Sequence, residues 1–76
     1  MQDNMEKVKT LYVGPSKIFR QLFGEIPADV TAITPDREQM PNGEINLYGQ
    51  NICTVWIDAR KRSFLIPEND LKFVND

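Results

Sequence analysis

Residues 44–74, EINLYGQNICTVWIDARKRSFLIPENDLKFV, decide the fold. Apolar and polar residues take turns through Ile45, Leu47, Ile52, Val55, Ile57, Phe64 and Ile66, the pattern that a half-buried antiparallel sheet requires. Turn formers divide the run. Gly49-Gln50-Asn51 predicts a short hairpin connection between a strand over Glu44–Tyr48 and a strand over Ile52–Asp58. Ala59-Arg60-Lys61-Arg62 predicts the tip of the next hairpin, leading to a strand over Ser63–Ile66. Pro67-Glu68-Asn69-Asp70 predicts a single 3₁₀-like turn that returns Leu71, Phe73 and Val74 as a short closing strand. In the strand starting at Ile52, side chains alternate between two faces. Cys53, Val55 and Ile57 are the more uniformly apolar set and are assigned to the core, which leaves Trp56 on the second face, partly covered by neighbours.

Upstream of this run the signals change. Val8, Thr10 and Tyr12 alternate with Lys9, Leu11 and Val13, which gives a first strand halted at Gly14-Pro15. Ile18, Phe19, Leu22 and Phe23 then recur at helical spacing, so a short helix is predicted over residues 16–23. Pro15 is read as its first position and Gly24 as a left-handed stop. Ala28–Thr34 reads as a second strand, with Ala28, Val30 and Ala32 on one face and Asp29, Thr31 and Ile33 on the other. Pro35-Asp36 breaks it, and a polar loop runs to the Pro41-Asn42-Gly43 turn. Residues 1–7 carry no periodic apolar pattern and are expected to form a flexible tail ahead of one domain over 8–76.

Length and composition bound the possible functions. Seventy-six residues support one thin core, which favours an edge, a loop or an exposed face over a deep pocket as the working surface. The formal charge is −2, with Arg60-Lys61-Arg62 as the local basic cluster. Bulk charge therefore does not favour a polyanion partner, since nucleic-acid domains usually carry a basic excess. No run of eighteen apolar residues is present, and the polar start lacks the apolar region of a signal peptide, so a cytoplasmic protein without a membrane segment is expected.

The chain has one cysteine and no histidine. Cys53 has no cysteine partner for an internal disulfide and reads as a small buried hydrophobe. Without histidine, Cys-His and Ser-His-Asp catalysis are excluded by composition, as are His- or Cys-cluster zinc sites. The carboxylates of Asp29, Glu44, Asp58, Glu68 and Asp70 fall at strand ends and in turns, where acids serve as caps and solvated surface. No phosphate-cradling glycine loop occurs. Neither catalysis nor a cofactor or metal is expected.

The order of these elements resembles the SH3-like small barrels, the broad group that includes Tudor, KOW and translation-factor modules beside the peptide-binding Src-homology domains. The resemblance rests on the long excursion from Gly14 to Gly24, the strand ADVTAI, the meander, and the ending SFLIPENDLKFV. In that ending Phe64, Ile66, Pro67, Leu71 and Val74 stand at the matching places. It implies a mainly β, five- to six-stranded antiparallel small barrel with one short helix near residues 16–23. Neither an ALYDY-like segment nor a tryptophan pair is present, so what the resemblance implies is a scaffold and not a polyproline groove.

Two functions suit such a scaffold. The first is a protein-interaction module that binds through Tyr48, Trp56 and the tip Arg60, Lys61 and Arg62, or through an edge strand that offers unpaired backbone groups to a protein partner or a second copy. The second is a nucleic-acid- or ribosome-associated module in which the same tip, with Lys17 and Arg20, contacts phosphates weakly. A monomer or weak homodimer is expected in either case.

Overall fold

In the computed structural model, residues 8–74 are described; the expected tail over residues 1–7 lies outside them. Five strands and one helix follow in the order β1 (Val8–Tyr12), α1 (Lys17–Phe23), β2 (Ala28–Thr34), β3 (Ile52–Ile57), β4 (Arg62–Pro67) and β5 (Leu71–Val74). Short 3₁₀ turns, Asp58–Arg60 and Glu68–Asp70, join β3 to β4 and β4 to β5. All strands pair antiparallel in one sheet of order β4-β3-β2-β1-β5. No ladder joins β4 to β5 among the described residues, so the sheet is open and β4 and β5 are its edges. The closed barrel expected from the sequence is therefore not formed by strand pairing.

The core face expected for β3 is the buried one, although Ile52 and Thr54 on the second face are buried as well, so burial does not alternate along the strand. Cys53 and Val55 are fully buried and Ile57 nearly so, packed with Tyr12, Phe23, Ile66 and Leu71. Thr10 is also fully buried, because its hydroxyl donates to the Lys72 carbonyl at 3.1 Å and so joins β1 to β5 through a satisfied polar group. α1 closes over this core. Ser16 is its N-cap, with Oγ accepting the Phe19 N–H at 3.2 Å, which places Pro15 one residue ahead of the cap and not at the first helical position. Gly24 ends the helix at φ 61° and ψ −141°, a positive φ outside the left-handed helical region, with its N–H on the Arg20 carbonyl. Seven residues gain little helical stability by themselves, so α1 depends on Phe23, which is buried, and on Phe19 and Leu22, which pack against the core. Ile18, expected among these anchors, is 70% exposed.

Two local departures from the sequence expectation matter. The first is a β-bulge. Val30 pairs with Val55 and Ala32 with Thr54, so Thr31 is an extra residue in β2, and its hydroxyl donates to the Thr54 carbonyl at 3.3 Å. The bulge reverses the alternation: Ala28 and Val30 share the core face, whereas Ala32 and Thr34 pair with Thr54 and Ile52 on the Trp56 side.

The second departure is the segment between β2 and β3. Glu44–Tyr48 is not a strand of the sheet; β2 pairs directly with β3, and Ile45 makes one isolated bridge, to Gln39. Residues 35–51 instead form a closed loop built around Asn46, which is 0% exposed. Its Nδ2 donates to the Thr34 carbonyl at 3.0 Å and the Gln50 carbonyl at 2.8 Å, and its Oδ1 accepts the Tyr48 N–H at 3.0 Å. Its backbone bonds Arg37 and Glu38 across the loop. Met40, the other buried side chain of the loop, sits at the turn where the Gly43 N–H donates to its carbonyl. A polar residue takes the inward place here because it satisfies backbone groups that a leucine would leave unpaired.

Candidate functional site

The end of β3 that carries Trp56 borders an open cleft of about 570 Å³. It is lined by the C-terminal end of α1, Leu22 and Phe23, by Ile26 and Pro27, and by Trp56, Ile57 and the start of the 3₁₀ turn. Ile26 is 77% exposed at this cleft. Gly24 explains its position, because the positive φ there turns the chain sharply out of the helix and leaves Ile26 without a helical or sheet neighbour.

Register fixes the polar groups. Asp29 stands opposite Trp56 across β2 and β3, and Lys9 stands opposite Asp29 across β1 and β2, where the two side chains form an ion pair at 2.8 Å. Both line the cleft. On the other side of Trp56, its Nε1–H donates to Asp58 Oδ1 at 3.4 Å, and the Lys61 ammonium donates to the same oxygen at 3.0 Å. Lys61, followed by Trp56, holds the Asp58 carboxyl below the usual carboxylate range. The indole N–H thus meets a carboxylate that a lysine also contacts, and Trp56 stands between the Lys9–Asp29 and Lys61–Asp58 pairs.

The five residues singled out from the sequence are not brought together at one place. Trp56 lines the cleft. Tyr48 belongs to the Asn46 loop, which is tied to Thr34; Thr34 pairs with Ile52 at the far end of β3, about 13 Å from Trp56 by strand rise. The basic tip is divided by its neighbours. Lys61, at φ 55°, is occupied by Asp58; Arg62 lies over the Phe64 ring with Cζ 5.1 Å from the centroid; Arg60 is exposed and forms no ion pair among the described residues. Leu22, Ile26 and the Lys9–Asp29 pair were not anticipated. The one local hint was Ile26 itself, a large apolar residue between a helix stop and a proline.

Elsewhere the chemistry is quiet. Burial pushes the Cys53 thiol up to about 11, with Glu68 adding to the shift, so it is protonated at neutral pH. No group of three metal-ligating side chains occurs among the described residues, and no helix among them is long and apolar enough to cross a membrane. Compared with known proteins, the chain matches no family model, no curated protein and no solved structure.

Proposed function

We propose that this chain is a non-enzymatic protein-interaction module of the cytoplasm, of SH3-like architecture, that receives a segment of a protein partner in the Trp56 cleft. The observation that carries the proposal is that the chain's single tryptophan and the exposed Ile26 line the same cleft. Large aromatic and apolar side chains that reach a surface cleft are among the groups that dominate protein interfaces. The strand order and the 3₁₀ turn between β4 and β5 support the architectural part of the reading. A phosphate-binding role for the basic tip is weaker, because Lys61 and Arg62 already have partners within the chain.

Trp56 also provides the assay, since its fluorescence reports the cleft directly. Proteins captured from cytosol by the wild-type chain are purified and titrated against it. A partner that occupies the cleft changes the Trp56 emission, and its affinity, measured by calorimetry because Trp56→Ala removes the fluorophore, falls about tenfold or more in Trp56→Ala and in Ile26→Ser, as in hot-spot truncation. Unchanged affinity in both variants, with folded spectra retained, would falsify the site. RNA or DNA binding at about 50 mM salt that disappears on neutralising Arg60, Lys61 and Arg62 would move the assignment to nucleic acid.

A further inference from the structure

The Asn46 loop has a feature that its structural role does not require. Because Asn46 turns inward, its neighbours turn outward: Ile45 is 49% exposed, Leu47 74% and Tyr48 67%. Three large side chains around one buried residue are thus held in water on a loop that is not loose. The Asn46 side-chain bonds fix it from inside, the Gly49 N–H donates to Asp36 Oδ1 at 2.9 Å, and the Glu44 N–H donates to Asn42 Oδ1 at 2.9 Å. A fold of this size has little apolar surface to spare, so an ordered apolar projection is costly unless something covers it.

The surrounding charge says what covers it. Residues 35–51 contain three carboxylates against one arginine. Arg37 lies 3.7 Å from Asp36, which leaves Glu38 and Glu44, both exposed and without an ion pair among the described residues. Glu38 is bonded through its carbonyl to the Asn46 N–H, and Glu44 precedes Ile45, so the two acids flank the projection. We infer that the Ile45–Tyr48 projection is a second, preformed interaction surface, which inserts Leu47 and Tyr48 into an apolar pocket of a partner protein rimmed by lysine and arginine. Apolar burial supplies the affinity, and the two carboxylates supply orientation and encounter rate. The surface stands at the opposite end of β3 from Trp56 and is proposed as a site independent of the cleft.

The test places a photo-crosslinking p-benzoylphenylalanine at position 48 of the full chain, with the same group at exposed Val13 as the control, and irradiates in cytosol. The crosslinked partner and residue are then read by mass spectrometry. The proposal expects position 48 to join a defined partner at an apolar pocket flanked by lysine or arginine. Glu38→Lys with Glu44→Lys should lower the yield fivefold or more, and Trp56→Ala should leave it unchanged. Leu47→Ser, an exposed position that leaves Asn46 intact, should reduce it as strongly while circular dichroism and thermal melting stay at wild-type values. Crosslinks to a second copy of the chain, to nucleic acid, or to an acidic or featureless surface would overturn the proposal. So would a yield no greater than that at position 13. Loss of crosslinking at position 48 in Trp56→Ala would instead assign both observations to one site, and so overturn the independence claimed here.

Discussion

The backbone N–H of Ser16 donates to the hydroxyl of Tyr12 at 3.1 Å, tying the last residue of β1 to the N-cap of α1. The Tyr12 ring lies edge-on to Phe19, with centroids 5.5 Å apart, and tilted against Phe23 at 5.6 Å. One side chain therefore holds the helix to the sheet by packing and by a hydrogen bond at once. The chain between them must pass close beneath the phenol. Gly14 allows this, since a Cβ there would stand 2.5 Å from the Tyr12 hydroxyl oxygen and 2.7 Å from Cγ of Asp70.

Gly14→Ala should accordingly destabilise the fold by about 1–3 kcal/mol, the usual cost of forcing atoms into a packed site. The clash falls on Tyr12 and Asp70, and the Asp70 carbonyl accepts the Val13 N–H at 2.8 Å, so both β1 and the turn before β5 must shift. Urea denaturation measures the difference; a midpoint equal to wild type would show that the turn has slack.

Asn46 makes a sharper prediction. Asn46→Ala leaves two carbonyls and one N–H without their partners, the Thr34 carbonyl in a fully buried place and the other two partly buried, at a cost of about 1–3 kcal/mol. Asn46→Asp is informative because the shape is kept while the donor is lost. A carboxylate would face the Thr34 and Gln50 carbonyls, so this variant should be unstable at neutral pH and recover partly in acid, where its protonated form regains one donor. Equal stability of Asp and Asn at neutral pH would contradict the hydrogen-bond assignment.

Cys53 should resist alkylation in the folded chain at pH 8 and react at the rate set by unfolding, which a maleimide or iodoacetamide time course detects. Its effect on stability follows from the raised value of about 11 against an ordinary 9.0. Below pH 9 both folded and unfolded chains hold the proton, and the thiol contributes no pH dependence. Between about 9 and 11 the unfolded chain loses the proton first, so stability falls as pH rises. Cys53→Ala should show a shallower decline over that window than wild type, and parallel declines would refute the linkage.

Phe64 links the edge strand to the helix. Its ring meets Phe19 edge-on at 6.0 Å and carries the Arg62 guanidinium on its face. Phe64→Ala should cost about 2–3 kcal/mol, less than a fully buried phenylalanine because the ring packs against the core but is only partly buried. Arg62→Ala should cost no more than about 1 kcal/mol. Thermal melts of the two variants should keep that order.

The parts of this fold that were legible in the sequence are those where an apolar residue faces the core. The Cys53-Val55-Ile57 face, the Pro67 turn and the return of Leu71 in β5 all follow from the period of two and from turn chemistry. The Glu44–Tyr48 segment shows the same alternation with the opposite meaning. Ile45 and Leu47 face water and Asn46 faces in, and no rule of periodicity distinguishes a buried amide that satisfies backbone groups from a solvated one. Ala32 and Ile33 were assigned to the wrong faces because Thr31 forms a bulge without glycine to mark it. Trp56 could be named from the sequence, but its cleft could not, because Leu22, Ile26 and Lys9 reach it only through tertiary packing.

Lys9 lies beside Val74 in the β1–β5 ladder, so the two ends of the described chain lie side by side at the same end of the sheet. During synthesis β1 must wait for the final strand before its outer hydrogen bonds are filled, and closing so long a loop makes folding slow for the chain's size, on the millisecond-to-second scale typical of sheets dominated by distant contacts. The same adjacency brings both ends of the described chain to the Trp56 cleft: Val74, Lys9, Asp29 and Trp56 are successive partners across the sheet, and Lys9 lines the cleft.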